Sequence, residues 1–152
     1  MAKTKKIKQF TIDFKTWGEE FMRDSAGSMC CLGFLGKACG YKNDDLLGEG
    51  MPSTVQNRAN KRLFPAGIIS SSGVDDSYFS QEVASINDAS EGAALPAGTN
   101  VSSPKIVLIT RRFKDQMGIT VKWKNVPKTV QTEVAKLKFS TTEKLLTFIC
   151  EP

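Results

Sequence analysis

Histidine does not occur in this chain of 152 residues. Its absence removes the commonest metal ligand, the general base that titrates near neutrality, and the Ser/His and Cys/His pairs of covalent hydrolases. Neither Gly-x-Gly-x-x-Gly nor Gly-x4-Gly-Lys-Ser/Thr is present, so no known phosphate loop is encoded. Arginine-rich runs, the mark of a dedicated nucleic-acid binder, are missing too. No apolar run nears the roughly 18 residues of a membrane helix. The basic start MAKTKKIKQ leads into no apolar stretch of the kind a secretory signal needs. The expected setting is the cytosol, where four cysteines are expected to be thiols rather than disulfides.

Those cysteines are Cys30, Cys31, Cys39 and Cys150. Their spacing includes no Cys-x2-Cys knuckle of the zinc-site type. No paired acids or activated nucleophile stand out either, so the expectation is no metal, no cofactor and no catalysis. Apolar residues make up 40% and charged residues 24%, ordinary for a globular chain and enough for one domain with a buried core. The net charge of +5 fits an anionic partner (nucleic acid, nucleotide or acidic protein surface) or simply a solvated basic face.

Periodicity supplies the elements. Phe10, Ile12 and Phe14 alternate as a strand over 8–14, and Trp17 and Phe21 continue from Phe14 at helical spacing. In Met29-Cys30-Cys31-Leu32-Gly33-Phe34-Leu35-Gly36-Lys37-Ala38-Cys39-Gly40, residues Cys31, Phe34, Leu35 and Ala38 form a helical apolar row, with a second in Leu32, Leu35 and Cys39. That helix should be buried. Gly33, Gly36 and Gly40 share one of its faces, which predicts close backbone packing, with Gly40 as the αL cap. A short turn of helix follows at 43–48, then a helix on Val55, Ala59 and Leu63 with Arg58, Lys61 and Arg62 on its wet side.

Residues 65–77 read as an exposed Gly/Ser loop, and Phe79, Val83 and Ile86 as a helix that stops at Asn87-Asp88. A long polar connection spans 87–102. Ser103 and Pro104 then open a helix that Gly118 closes, with Ile106, Ile109, Phe113 and Met117 inside and Arg111, Arg112 and Lys114 elsewhere. Ile119, Val121 and Trp123 alternate as a second strand. Val130, Val134 and Leu137 suit a helix, Ser140-x-x-Glu143 resembles a capping box, and 144–150 fits helix or strand. These elements predict a compact single α+β domain, a small sheet packed by short helices. Its core would be 1–124, with 125–152 an extension packed on the core or placed at an oligomer interface.

Four pieces, taken in order, resemble a family of small bacteriophage proteins: Phe10-Thr11-Ile12-Asp13 with Trp17, Met29-Cys30-Cys31-Leu32-Gly33, Ile86-Asn87-Asp88, and Phe113 to Gly118-Ile119-Thr120-Val121. The likeness covers roughly residues 8–124. This chain departs from the pattern in Ala89, where a second acid often follows, in the long insert 89–102, and in the added 125–152. The resemblance implies a viral accessory protein acting on host machinery in the host cytoplasm.

Three functions suit that setting. The first is anti-defence by binding and sequestering a small anionic nucleotide signal. Such a site needs cations for phosphates, an aromatic for base stacking and an Asn or Asp for base or ribose edges. Arg58, Lys61, Arg62, Arg111 and Arg112, then Trp17 (or Trp123 or Tyr78), then Asn87 and Asp88 can supply them. Asn87 and Asp88 equally suit capping and turning the chain. The second is an inhibitor docking on a host defence protein through 65–77, 89–102 or the tail. Weak nucleic-acid binding through the basic N-terminus and Lys122, Lys124, Lys128, Lys136 and Lys138 comes third.

Overall fold

Alternation in the sequence becomes alternation in burial. In the computed structural model, which describes residues 7–88, 102–136 and 147–149, strand β1 is Gln9–Asp13 and β2 is Thr120–Lys124. Phe10, Ile12, Val121 and Trp123 point inward, while Gln9, Thr11, Thr120 and Lys122 point outward. The strands pair in parallel, Phe10 opposite Val121 and Ile12 opposite Trp123. A third strand, β3 (Thr147–Ile149), joins the far side of β2, also in parallel, in the order β1-β2-β3. Strand is thus what 147–149 adopts, while the capping box at 140–143 and Leu137 lie outside the described residues.

Parallel neighbours need long crossovers, and helices supply them. Between β1 and β2 come α1 (Cys31–Ala38), α2 (Asn43–Leu46), α3 (Pro52–Ala59), α4 (Tyr78–Asp88) and α5 (Ser102–Arg112). Between β2 and β3 runs α6 (Lys128–Lys136), which buries Val130 and Val134 and packs on α5. The arrangement is a compact α+β domain, as expected from the sequence.

Three boundaries differ from the periodicity, each for a local reason. Beyond Phe14 the chain makes only a 3-10 turn, Phe14–Thr16, because the Asp13 carboxylate caps the Lys15 N–H at 3.0 Å and Trp17 is extended. Trp17 and Phe21 are therefore not on a helix. Helix α3 stops before Leu63 because Asn60 adopts the left-handed conformation (φ 53°). Helix α5 starts at Ser102 and widens beyond Arg112 into a π-helical turn, Phe113–Met117, which Gly118 closes at φ 66°. That turn holds the Phe113 ring edge-on to Phe10 and Phe79, at centroid separations of 5.1 and 5.0 Å.

The glycine face of α1 packs against chain. A Cβ on Gly33 would stand 1.9 Å from the Met22 carbonyl oxygen, a backbone atom of a residue whose N–H bonds the Glu49 carbonyl at 2.8 Å. One on Gly36 would meet the Leu46 methyl at 3.0 Å and the Phe64 ring at 3.4 Å, atoms that can shift. Alanine gains about 1 kcal/mol of helix propensity over glycine, whereas forced overpacking costs about 1–3 kcal/mol or more. Gly33→Ala should therefore lose about 3 kcal/mol or more in denaturant titrations, and Gly36→Ala less than about 1 kcal/mol. Equal effects would mean that close backbone approach is not what the glycine face provides.

Candidate functional site

The last turn of α4 carries Asn87, a polar side chain that is only 1% exposed. A carboxamide has two donors and two acceptor positions, and this one uses all four. Its Oδ1 accepts from the Trp17 indole N–H at 2.6 Å and from the Cys31 backbone N–H at 3.0 Å. Its Nδ2 donates to the Gly18 carbonyl at 2.9 Å and to Asp88 Oδ1 at 3.0 Å. Asp88 Oδ1 in turn accepts the Glu20 N–H at 2.9 Å. The start of α1 has no side-chain cap from Cys30; Asn87, far along the chain, satisfies the Cys31 N–H instead.

Beneath this carboxamide lies Lys105 of α5, whose side chain is about 10% exposed. Its ammonium donates to the Asn87 carbonyl at 2.7 Å and pairs with Glu19 Oε1 at 2.9 Å. A buried cation is tolerable only with such partners. Trp17, Gly18, Glu19, Asn87, Ser102 and Lys105 enclose a cavity of about 80 Å³. Sequence reading passed over Lys105 and Glu19; a lysine next to an apolar stripe carries no signal of its burial.

The thiols beside this hub are inert. Cys30, Cys31 and Cys39 are buried and unbridged. Burial pushes the Cys30 pKa from its ordinary 9.0 to about 11 and raises Cys31 well above that ordinary value. Loss of solvation for the thiolate outweighs the nearby backbone N–H groups. A protonated, enclosed sulfur is a poor nucleophile. Among the described residues no three Cys, Asp or Glu side chains are grouped to hold a metal ion.

The residues named for a nucleotide do not converge. Trp17 and Asn87 spend their polar groups on each other, and the Trp17 ring packs edge-on to Trp123 at 4.9 Å. Trp123 is fully buried, with its N–H on Thr110 Oγ1 at 2.8 Å, so it offers no stacking face. Arg58 clamps α2 and the residue that ends it through the Asp44 and Leu47 carbonyls and pairs with Glu49. Arg111 pairs with Asp115 one turn on, and Arg112 with Glu82 of α4. Lys61 and Arg62 remain exposed together past the end of α3, where Arg62 lines a cleft of about 280 Å³.

A larger groove, about 510 Å³, runs along α4 and is lined by Met51, Asp76, Gln81, Ala84, Ser85 and Asp88. Asp76 is held in place by the Ser53 N–H at 2.8 Å and the Ser53 hydroxyl at 2.7 Å. Tyr78, at the start of α4, is 79% exposed and Val74 is 64% exposed. No family model, curated protein or solved structure matches the chain.

Two measurements check this account. Asn87→Ala would orphan an indole N–H, a backbone N–H and a carbonyl, each worth roughly 1–3 kcal/mol when buried. The variant should lose roughly 3 kcal/mol or more by chemical denaturation; unchanged stability would mean Asn87 is not structural. The thiols predict the second. An unfolded chain releases these protons near pH 9 and the folded chain holds the Cys30 proton to about 11. Folding is therefore favoured fully below the lower value and loses this contribution as pH rises from 9 to 11. The Tm of Cys30→Ala should fall less between pH 8.5 and 10.5 than that of the parent protein, and parallel falls would contradict the assignment.

Proposed function

We propose that this protein works by docking, without catalysis, on a partner protein that offers a basic segment with an apolar anchor. The observation that carries the reading is the groove along α4. Two carboxylates and no lysine or arginine line it, although the chain as a whole is basic. Such a segregated acidic face favours a basic partner and disfavours an acidic one.

Exposed apolar side chains lie close in sequence to residues of the same groove or to their bonding partners. Val74 and Tyr78 flank Asp76 in sequence, and Phe21, 39% exposed, follows Glu20, whose N–H is tied to Asp88. Aromatic anchors of this kind are enriched at interface hot spots. The groove floor is rigid, because Asp76 and Asp88 are both fixed by backbone N–H groups. A preformed face loses little entropy on binding.

Resemblance to small bacteriophage proteins supplies the setting: the partner would be a host defence or regulatory protein and the outcome its inhibition. Sequestration of a nucleotide is the weaker reading, because the side chains named for base and phosphate are apart or engaged.

Site-specific photocrosslinking in host cells tests the docking face. A crosslinker at position 78 should capture one partner, at a segment containing lysine or arginine. Gln81→Lys, which puts a cation into the groove, should reduce that capture at least tenfold while leaving Tm unchanged. Equal capture from Gln131 on α6, or no effect of Gln81→Lys, would overturn the reading.

A further inference from the structure

The cleft beside Arg62 is a second site, separate from the α4 groove and independent of the docking proposal. It lies between the end of α3 and the turn formed by 65–73. Both walls are pinned. On one, the Tyr41 hydroxyl donates to the Lys61 carbonyl and accepts the Leu63 N–H at 3.1 Å, fixing the backbone on either side of Arg62. On the other, the Ile68 carbonyl accepts both the Ser80 hydroxyl at 2.7 Å and the Ser77 N–H at 3.1 Å. The Ser70 N–H bonds the Asp75 carbonyl at 2.7 Å, and Gly73 completes the turn at φ 78°.

Three kinds of group face the cleft. Arg62 is an exposed guanidinium, and no ion pair occupies it among those the described residues form. Gln56 is only 9% exposed, yet its amide makes just one long contact, 3.5 Å to the Gly73 carbonyl. Ile69 and Pro65 offer an apolar wall, with the Ser71 hydroxyl at the rim. The unbonded part of the Gln56 carboxamide is not cut off from solvent, so it is available to a ligand in the cleft.

We propose that this cleft binds a small phosphorylated molecule no larger than one nucleotide. The guanidinium would hold the phosphate through two parallel N–H bonds, a geometry a lone lysine does not offer. The carboxamide of Gln56 would read a polar edge of the remainder, which rests on Ile69 and Pro65. Volume favours a small ligand. Ligand pockets span roughly 300–1,000 Å³, and a cleft of about 280 Å³ sits at the small end, enough to hold about one nucleotide against its walls.

Titrations followed by amide NMR test this with AMP, inorganic phosphate and adenosine as probes. AMP should shift the Gln56 side-chain amide and the backbone signals of Ser71 and Gly73. Inorganic phosphate should bind more weakly at the same place, and adenosine not at all. Arg62→Gln should weaken AMP at least tenfold with Tm unchanged, since Arg62 is exposed, whereas Arg111→Gln should leave it unchanged. Absence of AMP binding at millimolar concentration would overturn the proposal. So would adenosine binding as tightly as AMP, or an Arg62→Gln protein that binds AMP normally.

Discussion

One carboxamide joins the parts of this fold that are farthest apart in sequence. Asn87 sits in the last turn of α4, caps α1 from a distance of 56 residues, and receives the indole of Trp17, which is 70 residues away. Lys105 then ties α5 to the same point through the Asn87 carbonyl. Because the four bonds satisfy the side chain completely, its burial is tolerable, and because they reach the Trp17-Gly18 loop, the start of α1 and the neighbouring Asp88 with two donors and two acceptor positions, the carboxamide is hard to replace. Aspartate would lose both donors and add charge beside Asp88; leucine would orphan every partner.

The thiols and glycines of the α1 region belong to this construction. Gly33 lets the Met22 backbone lie directly on the helix, which brings the loop carrying Trp17 and Gly18 close enough for Asn87 to reach. Cys31 fills the space below with its sulfur 3.9 Å from the Val83 carbonyl. A short MCCLG stretch therefore reads as packing chemistry throughout: small or soft side chains where another backbone passes, with thiols that burial keeps protonated.

Local chemistry was legible in the sequence and most long-range partnership was not. Alternation identified β1 and β2 of the three paired strands, and Asn87-Asp88 marked the end of α4, because burial periodicity and helix-stopping side chains act over a few residues. That β1 and β2 share one small sheet was also legible, as they are the two alternating segments of the chain, whereas their parallel register is decided by packing across more than a hundred residues. Cations misled for the same reason. Arg58 and Arg112 look like free cations in sequence, but Arg58 is engaged by Glu49 and the Leu47 carbonyl and Arg112 by Glu82, whereas the Arg111 partner, Asp115, lies only one turn on. Trp17 looked like a stacking platform because an indole N–H bonded to an amide 70 residues away leaves no trace in the local pattern. The α4 groove was invisible too, since Met51, Asp76 and Ala84 meet only in the folded chain.

With the hub engaged internally, the surfaces proposed for recognition are peripheral: the acidic groove on one side of α4 and the arginine cleft past α3. Both are backed by the same rigid core, so binding at either would not require the hub to open. Hydrogen exchange at the Trp17 indole N–H and the Cys31 amide tests the hub most directly. Global unfolding is the only route by which protons shared with a buried, fully bonded Asn87 can exchange. The account predicts that both exchange at the same slow rate, with the free energy of complete unfolding and the same denaturant dependence. An indole proton that exchanges much faster than the Cys31 amide would contradict it.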